Sequence, residues 1–215
     1  MSIPDVFIME SLSKADEAAH RYEGQRLADV LRLSGKNPKY IYFQSKKELP
    51  HLLKLFKESN YRFLHISCHA SDEAIYTTND EIPYAEAAKI FKDYLKERRA
   101  FFSACELGNE MFCDLIAGNN KGMHSIVAPA EKIFFDHAAA IWAAFYVSIF
   151  SHNAGAMTSA DIRFRIETLC TLFPVDFYVS TYHPAHDSWQ HNLFKKKPPV
   201  VAKGAKKGKP EEEPA

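Results

Sequence analysis

The stretches FLHISCHA (residues 63–70) and FFSACELG (residues 101–108) decide the fold of this chain. Each begins with an apolar run typical of a buried β-strand and ends at a reactive side chain, His69 in the first and Cys105 in the second. The segment between them has the pattern of a loop followed by a helix, which is enough to join two parallel neighbouring strands. We therefore expect His69 and Cys105 to meet at one edge of a sheet.

Working outward from these stretches, strand and helix patterns alternate almost strictly. The predicted strands are residues 6–9, 40–43, 62–68, 100–104, 125–128 and 175–181. The predicted helices are residues 13–34, 49–59, 83–95, 108–116, 137–150 and 158–172, with Asp136 capping the fifth. This alternation predicts a three-layer α/β fold with a six-stranded, mostly parallel sheet flanked by helices.

The composition is that of an ordinary globular protein, with 215 residues, 47% of them apolar, and 27 basic against 27 acidic side chains. Balanced charge gives no bulk attraction to nucleic acid or an anionic membrane. No apolar run approaches the roughly 18–20 residues that a membrane helix needs. We predict one domain over residues 1–194 and a disordered tail, rich in Lys, Pro and Glu, over residues 195–215.

The cysteine pattern and the N-terminus indicate a cytoplasmic protein. Cys68, Cys105, Cys113 and Cys170 show neither CxxC nor framework spacing, so we expect them to stay reduced. The first residues, MSIPDVFIMES, lack the basic region and the long apolar core of a signal peptide.

A thiol beside an imidazole is the minimal apparatus for covalent acyl transfer. His69 would take the proton of the Cys105 thiol, and the backbone N–H groups of Ala70 and Cys105 are candidates for stabilising an oxyanion. No acidic third member is evident, so the sequence predicts a Cys-His dyad. The plainer alternative is that both side chains are inert, because buried cysteines and strand-end histidines commonly have no chemical role.

Metal and cofactor chemistry fits the same residues less well. His65, Cys68, His69 and Cys105 would supply four zinc ligands, but side chains alternate between the two faces of a strand, which keeps the four from converging. The glycines show neither of the two phosphate-loop spacings. We therefore expect no metal and no cofactor.

In order and spacing, the two strand ends resemble the caspase-like (clan CD) cysteine peptidases, most closely the CHAT domain family. That family has an apolar strand ending in His-Gly and a later strand ending in Ala-Cys with a glycine soon after; here these are ISCHA (66–70) and FSACELG (102–108). Further matching positions lie downstream: 125–129 (SIVAP), Asp136, Ala139, Phe145, Tyr146 and Ile149. The resemblance covers about residues 60–150 and implies a three-layer caspase-like fold.

The resemblance also implies a cysteine endopeptidase with His69 as general base and Cys105 as nucleophile. Ala70 stands where the family has glycine, and an alanine can present its N–H there only with a negative φ. Several relatives prefer a basic residue before the scissile bond and bind it with acidic groups. The loop after His69 supplies four candidates for this pocket: Asp72, Glu73, Asp80 and Glu81.

The partners that the resemblance implies are a protein substrate, such as a pore-forming or other effector protein, and an activator protein. The setting it implies is a bacterial defence or cell-death system. Two alternatives stay open: a catalytically inactive CHAT-like protein-interaction module, and a flavodoxin-like ligand-binding domain.

Overall fold

The computed structural model describes residues 2–152, 155 and 157–197. Its elements, numbered in chain order, run up to the candidate histidine as β1 (Ile3–Glu10), α1 (Lys14–Ala18), α2 (Glu23–Leu33), β2 (Lys39–Tyr42), α3 (Leu49–Ser59) and β3 (Tyr61–Ser67). They continue as β4 (His69–Ala70), β5 (Ala74–Tyr76), β6 (Glu81–Pro83), α4 (Tyr84–Phe91), β7 (Arg99–Ser103), α5 (Glu110–Gly118), β8 (Ser125–Pro129), α6 (Phe135–His152), α7 (Ser159–Leu172), β9 (Phe177–His183) and β10 (Ser188–Phe194).

The central sheet has seven strands in the order β10-β9-β8-β7-β3-β1-β2. Its first five strands in the chain (β1, β2, β3, β7 and β8) are mutually parallel, whereas β9 and β10 are antiparallel to their neighbours. One face packs an apolar core against α3, α4 and α5, and the other packs a second core against α2, α6 and α7. The expected three-layer, mostly parallel α/β fold is therefore confirmed.

The predicted number of six strands is wrong because β10 was missed. Its sequence, SWQHNLF, is half exposed along its length and carries few apolar side chains. An edge strand with polar side chains gives no apolar run, so its pairing with β9 is visible only in three dimensions.

The predicted adjacency of the two decisive strands is confirmed. β3 and β7 are parallel neighbours, and Ser67 pairs with Ser103 at their carboxyl ends. His69 lies two residues after Ser67, and Cys105 lies two residues after Ser103. The imidazole and the thiol therefore follow matched positions of β3 and β7, at the same edge of the sheet.

Three local predictions need correction. The single helix predicted over residues 13–34 is two helices, because the chain turns between them at His20, whose φ is +54°. The polar loop after His69 contains a small antiparallel sheet, β4-β5-β6. Asp136 does not cap α6: it lies in the first turn, where its Oδ1 accepts a hydrogen bond from the His137 N–H at 2.8 Å.

The tail predicted from residue 195 lies outside the described residues from position 198 onward. Within its described beginning, the Lys196 ammonium contacts Glu131 at 2.6 Å and the Lys197 N–H donates to the Cys170 carbonyl at 2.9 Å. Among the described helices, none combines the length and apolar content that crossing a bilayer requires.

Candidate active site

A narrow cavity of about 30 Å³ opens beyond the carboxyl ends of β3 and β7. His69 and Cys105 both line it. The remaining lining residues come from β1's end, α2, the two strands and the start of α6: Leu12, Glu23, Ser67, Cys68, Ser103, Ala104, Ile133, Phe135 and Ala138. Parallel α/β sheets place functional groups at this edge, as the fold predicts.

The imidazole of His69 is held from two sides. Its Nε2 lies 2.8 Å from Oδ2 of Asp16, and the ring of Phe135 packs edge-on against it at 5.7 Å between centroids. A carboxylate only accepts hydrogen bonds, so the ring proton belongs on Nε2. Nδ1 is therefore the nitrogen left to accept a proton.

Asp16 is the acidic neighbour of His69, and the sequence analysis missed it. It lies in α1, just beyond β1, and is 8% exposed. Although burial raises its pKa, hydrogen bonds from Ser13 and His69 and from Arg21, whose Nη1 lies 3.1 Å away, bring the pKa below the ordinary value. Asp16 is thus a carboxylate at neutral pH and can stabilise a protonated imidazole.

The Cys105 thiol is half-buried, immediately after the last residues of β7. Both backbone groups of Ile133 contact its Sγ: the Ile133 N–H donates to the sulfur at 3.5 Å, and the thiol donates to the Ile133 carbonyl at 3.7 Å. The other three thiols differ: burial raises the pKa of Cys68 and Cys113 to about 12 and that of Cys170 to about 11. Those three are poor nucleophiles at neutral pH.

The N–H groups of Ala70 and Cys105 remain predicted oxyanion donors, and the structure shows which backbone contacts each of them makes. Ala70 has the extended backbone of β4, so it does not need the positive φ that only glycine adopts freely. The Ser71 N–H donates to the Ala74 carbonyl at 2.9 Å, which makes Ala70–Ile75 a pair without ladder hydrogen bonds. The Ala70 N–H therefore points away from β5. For the Cys105 N–H, the described part of the chain shows no acceptor.

The turn after the thiol is tightly built. Glu106 has a φ of +60°, and its N–H donates to the Glu131 carbonyl at 3.1 Å. Gly108 follows with its N–H 2.7 Å from the Pro129 carbonyl. A side chain at Gly108 would place its Cβ 2.5 Å from the Ala128 carbonyl oxygen, so glycine is required for this close approach to β8.

Glu23 is a second acidic residue that sequence reasoning missed. It lies at the start of α2, is 3% exposed and lines the cavity beneath the thiol and the imidazole. Within the described residues, no group makes a hydrogen bond of good geometry with its carboxylate, although the hydroxyls of Ser67 and Ser103 are near enough to influence it and His65 Nε2 lies 4.0 Å from its Oε1. Burial raises its pKa to about 7, and the hydroxyls of Ser67 and Ser103 offset this only in part.

The four acidic residues predicted to form the substrate pocket are not brought to this cavity. Asp72, Glu73 and Glu81 are exposed, and none of the four is a lining residue. Asp80 instead joins its loop to the segment between β2 and α3, where its Oδ2 accepts from the Lys46 N–H at 2.8 Å. A polar loop that folds into its own small sheet uses its charges locally or in solvent.

The four residues weighed as zinc ligands are also spread out. His65 is fully buried, with Nδ1 3.2 Å from the Tyr146 hydroxyl and its ring edge-on to Trp142. Burial lowers the pKa of His65 to about 3, so it is neutral. Across residues 2–152, 155 and 157–197, no group of three or more His, Cys, Asp or Glu side chains is arranged to hold a metal ion.

Comparison with known proteins supports the fold and gives no family. No protein-family model matches the sequence, and no curated protein matches it. Among solved structures, the chain is similar to the crystal structure of the Arg-specific cysteine proteinase gingipain R, with a TM-score of 0.51 and 11% identity. The match covers 78% of this chain and 42% of that one, so this chain spans less than half the length of that structure. The likeness shows that this chain has a caspase-like α/β fold.

Proposed function

We propose that this protein is a cysteine endopeptidase of the caspase-like, CHAT type, with Cys105 as nucleophile and His69 as general base. The observation that carries the proposal is the hydrogen bond between His69 Nε2 and the buried carboxylate of Asp16. It leaves Nδ1 as the proton acceptor in a cavity that also holds the only half-buried thiol among the four free cysteines. Nucleophile, base and orienting carboxylate are the set that acyl transfer needs.

The proposed reaction has two stages. His69 Nδ1 takes the proton of the Cys105 thiol, and Sγ attacks the carbonyl carbon of the scissile bond. The protonated His69 then gives this proton to the leaving amine, and a thioester remains on Cys105. In the second stage His69 takes a proton from water as the water oxygen attacks the thioester carbon. The C–S bond then breaks, the carboxylic acid product leaves, and His69 returns its proton to the Cys105 thiolate.

Three further groups assist the charge changes. The carboxylate of Asp16 stabilises the imidazolium, which exists only between the two proton transfers. The Ile133 N–H stabilises the thiolate. The N–H groups of Ala70 and Cys105 receive the oxyanion of each tetrahedral intermediate, where a single donor is typically worth about 3–4 kcal/mol.

Glu23 supports a preference for substrates with a basic side chain. It is an acidic group without a hydrogen bond of good geometry in the described residues, and it sits in the lining of a narrow cavity. A cavity of about 30 Å³ holds only one or two water molecules, so a lysine or arginine side chain reaches Glu23 in this proposal only when substrate binding widens the cavity. The acidic loop after His69 is the alternative source of the same preference.

The remaining parts of the proposal concern setting and partners. We place the peptidase domain at residues 1–194, acting on a protein substrate such as an effector protein. All four cysteines are free, which fits work in the reducing cytoplasm. Activation by another protein and a role in bacterial defence or cell death are parts of the same proposal.

Thiol reactivity tests the proposal. Native protein is treated with a substoichiometric amount of iodoacetamide, and labelling is quantified by mass spectrometry for each of the four cysteines. We expect Cys105 to react at least tenfold faster than Cys68, Cys113 and Cys170, whose pKa values burial raises. In the His69→Ala variant this advantage should shrink.

The rival function is a catalytically inactive interaction module with the same fold. In this fold Cys105 is the most exposed of the four thiols, so the inactive module also labels there first, and the two functions differ in the His69→Ala variant. The inactive module predicts that Cys105 labels at the same rate with and without His69, whereas the peptidase predicts a clear loss of rate. A His51→Ala variant, altered at an exposed histidine of α3, is the matched control and should label like the wild type.

A further inference from the structure

A second cavity opens at the opposite edge of the central sheet. It has a volume of about 510 Å³ and lies at the amino ends of β3, β7 and β8. Its lining combines these strand ends with residues near the chain start and the first turn of α7: Ser2, Arg62, Glu97, Arg99, His124, Met157, Thr158 and Ser159. None of them belongs to the proposed peptidase site.

The lining is rich in positive charge that has no carboxylate partner. Arg99 is only 9% exposed, and its Nη1 donates to the Ser125 hydroxyl at 2.9 Å and the Ser159 hydroxyl at 3.5 Å. Arg62 likewise donates only to neutral groups: Nε to the Ser2 hydroxyl, Nη2 to the Ser2 carbonyl and Nη1 to the Gly155 carbonyl. Within the described residues, neither guanidinium has an Asp or Glu oxygen within 4.0 Å.

A buried arginine with no carboxylate in contact is costly, and the more distant Asp161 offsets the burial of Arg99 only in part. Burial lowers the pKa of Arg99 to about 10, so the guanidinium is still charged at neutral pH. Removing a charge from water without pairing it costs several kcal/mol, and an anion in the cavity would offset this cost. An apolar side chain at position 99 would avoid this cost, yet the cavity wall carries the Arg99 guanidinium.

The first turn of α7 adds donors on the same wall. The helix runs over 14 residues from Ser159, and its positive end faces the cavity. The nearest acids do not fill the place of an anion: Glu97 is exposed, and the Asp161 carboxylate is already bound to the hydroxyl of Thr158 at 2.6 Å and its N–H at 3.2 Å.

We propose that this cavity binds the phosphate group of a small phosphate monoester. The planar fork of Arg99 suits two oxygens of a tetrahedral anion, and the hydroxyl and N–H of Ser159, which Asp161 does not bind, can donate to a third. A volume of about 510 Å³ exceeds what inorganic phosphate occupies and leaves room for an organic group beside the apolar Met157.

Calorimetric titration of the full chain tests the proposal, with phenyl phosphate and inorganic phosphate as probes in sodium chloride of fixed ionic strength. We expect phenyl phosphate to bind, at least tenfold more tightly than inorganic phosphate. Equal affinity for both would overturn the ester assignment in favour of free phosphate. Absence of heat and of thermal stabilisation with either probe, at concentrations up to about 10 mM, would overturn the site.

Variants locate the binding. Arg99→Lys keeps the charge and loses the fork, and Arg62→Gln alters a less buried donor, so the second remains informative if the first fails to fold. Each should weaken phenyl phosphate binding at least tenfold, whereas Arg163→Gln, on α7 but outside the cavity, should not. Unchanged affinity in Arg99→Lys and Arg62→Gln would contradict the proposal. Binding in the His69→Ala variant should be unaltered, which separates this site from the peptidase hypothesis.

Discussion

Asp16 decides which nitrogen of His69 carries the proton. Its carboxylate lies 2.8 Å from Nε2, and replacing it with a neutral amide removes both the charge and the preference for one tautomer. We expect Asp16→Asn to lower kcat about 100-fold or more with little change in KM, because the loss concerns the imidazolium formed during the reaction. Peptide hydrolysis kinetics measure this split.

The matched control for Asp16→Asn is Asp29→Asn, an exposed aspartate that pairs with Arg32 at 2.9 Å. It should leave kcat and thermal stability nearly unchanged, since exposed ion pairs contribute little. If Asp16→Asn retained wild-type kcat, the orienting role of Asp16 would be refuted.

Glu23 should make the protein less stable as the pH rises. Its folded pKa of about 7 lies above its ordinary value of 4.5, so the folded state holds this proton more tightly than the unfolded state does. The resulting stability is present below about pH 4.5 and is lost as the pH rises through 7. We expect Glu23→Gln to exceed the wild type in free energy of unfolding by on the order of 3 kcal/mol at pH 8.5, and by far less at pH 5.

Urea denaturation at the two pH values measures this difference. Glu58→Gln, at an exposed glutamate of α3, is the control and should show no such pH dependence. The same Glu23→Gln protein should lose kcat/KM for substrates with Lys or Arg before the scissile bond more than for neutral ones. A Glu23→Gln protein less stable than the wild type at pH 8.5 would contradict the unpaired-carboxylate argument.

The difference between predictable and unpredictable site residues has a physical cause. His69 and Cys105 could be placed from the sequence because each ends an apolar strand and one crossover makes the strands neighbours. Asp16 contacts His69, which lies 53 positions later in the sequence. From the sequence alone, Asp16 is already accounted for as part of the helix cap with Ser13, so its contact with His69 is not predicted. Glu23 is the first residue of α2, but the sequence pattern indicates one continuous helix through this segment. The sequence therefore does not predict that the Glu23 side chain lines the cavity.

At the scale of elements, the turn that joins β7 to α5 sets the position of the thiol. Gly108 approaches β8 so closely that an added Cβ would meet the carbonyl oxygens of Ala128 at 2.5 Å and Pro129 at 2.7 Å. Both are backbone atoms of a central strand and cannot easily move. We expect Gly108→Ala to lower the free energy of unfolding by about 1–3 kcal/mol and to reduce kcat by displacing Cys105.

Gly118→Ala is the control for this prediction, because an added Cβ there meets no heavy atom within 4 Å. It ends α5 and should be neutral or stabilising by up to about 1 kcal/mol. Thermal unfolding and peptide hydrolysis are measured for Gly108→Ala, where the added Cβ meets backbone atoms, and for Gly118→Ala, where it meets none. Equal stabilities would mean that β8 yields to the added methyl group.

Helices and strands could be predicted where burial requires a pattern of apolar residues. They could not be predicted where a strand forms only because a neighbouring strand supplies its hydrogen bonds. The strands of the parallel centre are buried on both faces and give apolar runs, as at residues 125–129. β10 and the β4-β5-β6 sheet are short or polar, and their strands form only because a partner supplies hydrogen bonds. Their formation depends on tertiary contacts that local propensity does not encode.

For the whole molecule, the central sheet separates two differently charged cavities. The carboxyl edge carries the acids Asp16 and Glu23 with His69 and Cys105, and the amino edge carries the arginine cavity. From Arg99 to Cys105 the chain advances about 20 Å, at roughly 3.3 Å per residue. Ligands at the two edges do not touch, so any coupling between them would have to pass through β3 and β7.

Chain length tests how much of the C-terminal region the fold needs. β10 pairs with β9 over seven positions, and Lys196 beyond it binds Glu131, whose carbonyl holds the Glu106 N–H beside the thiol. We expect a chain ending at residue 197 to keep the wild-type activity and a Tm within about 1 °C of the wild-type value, since residues 198–215 are predicted to be a tail.

A chain ending at residue 187 lacks β10 and Lys196, so β9 loses its neighbour and Glu131 loses its ion pair. Its Tm and kcat should both fall. Thermal unfolding and peptide hydrolysis of the two truncated chains distinguish these outcomes. A fall in both quantities on removing only residues 198–215 would show that the domain extends beyond its predicted end.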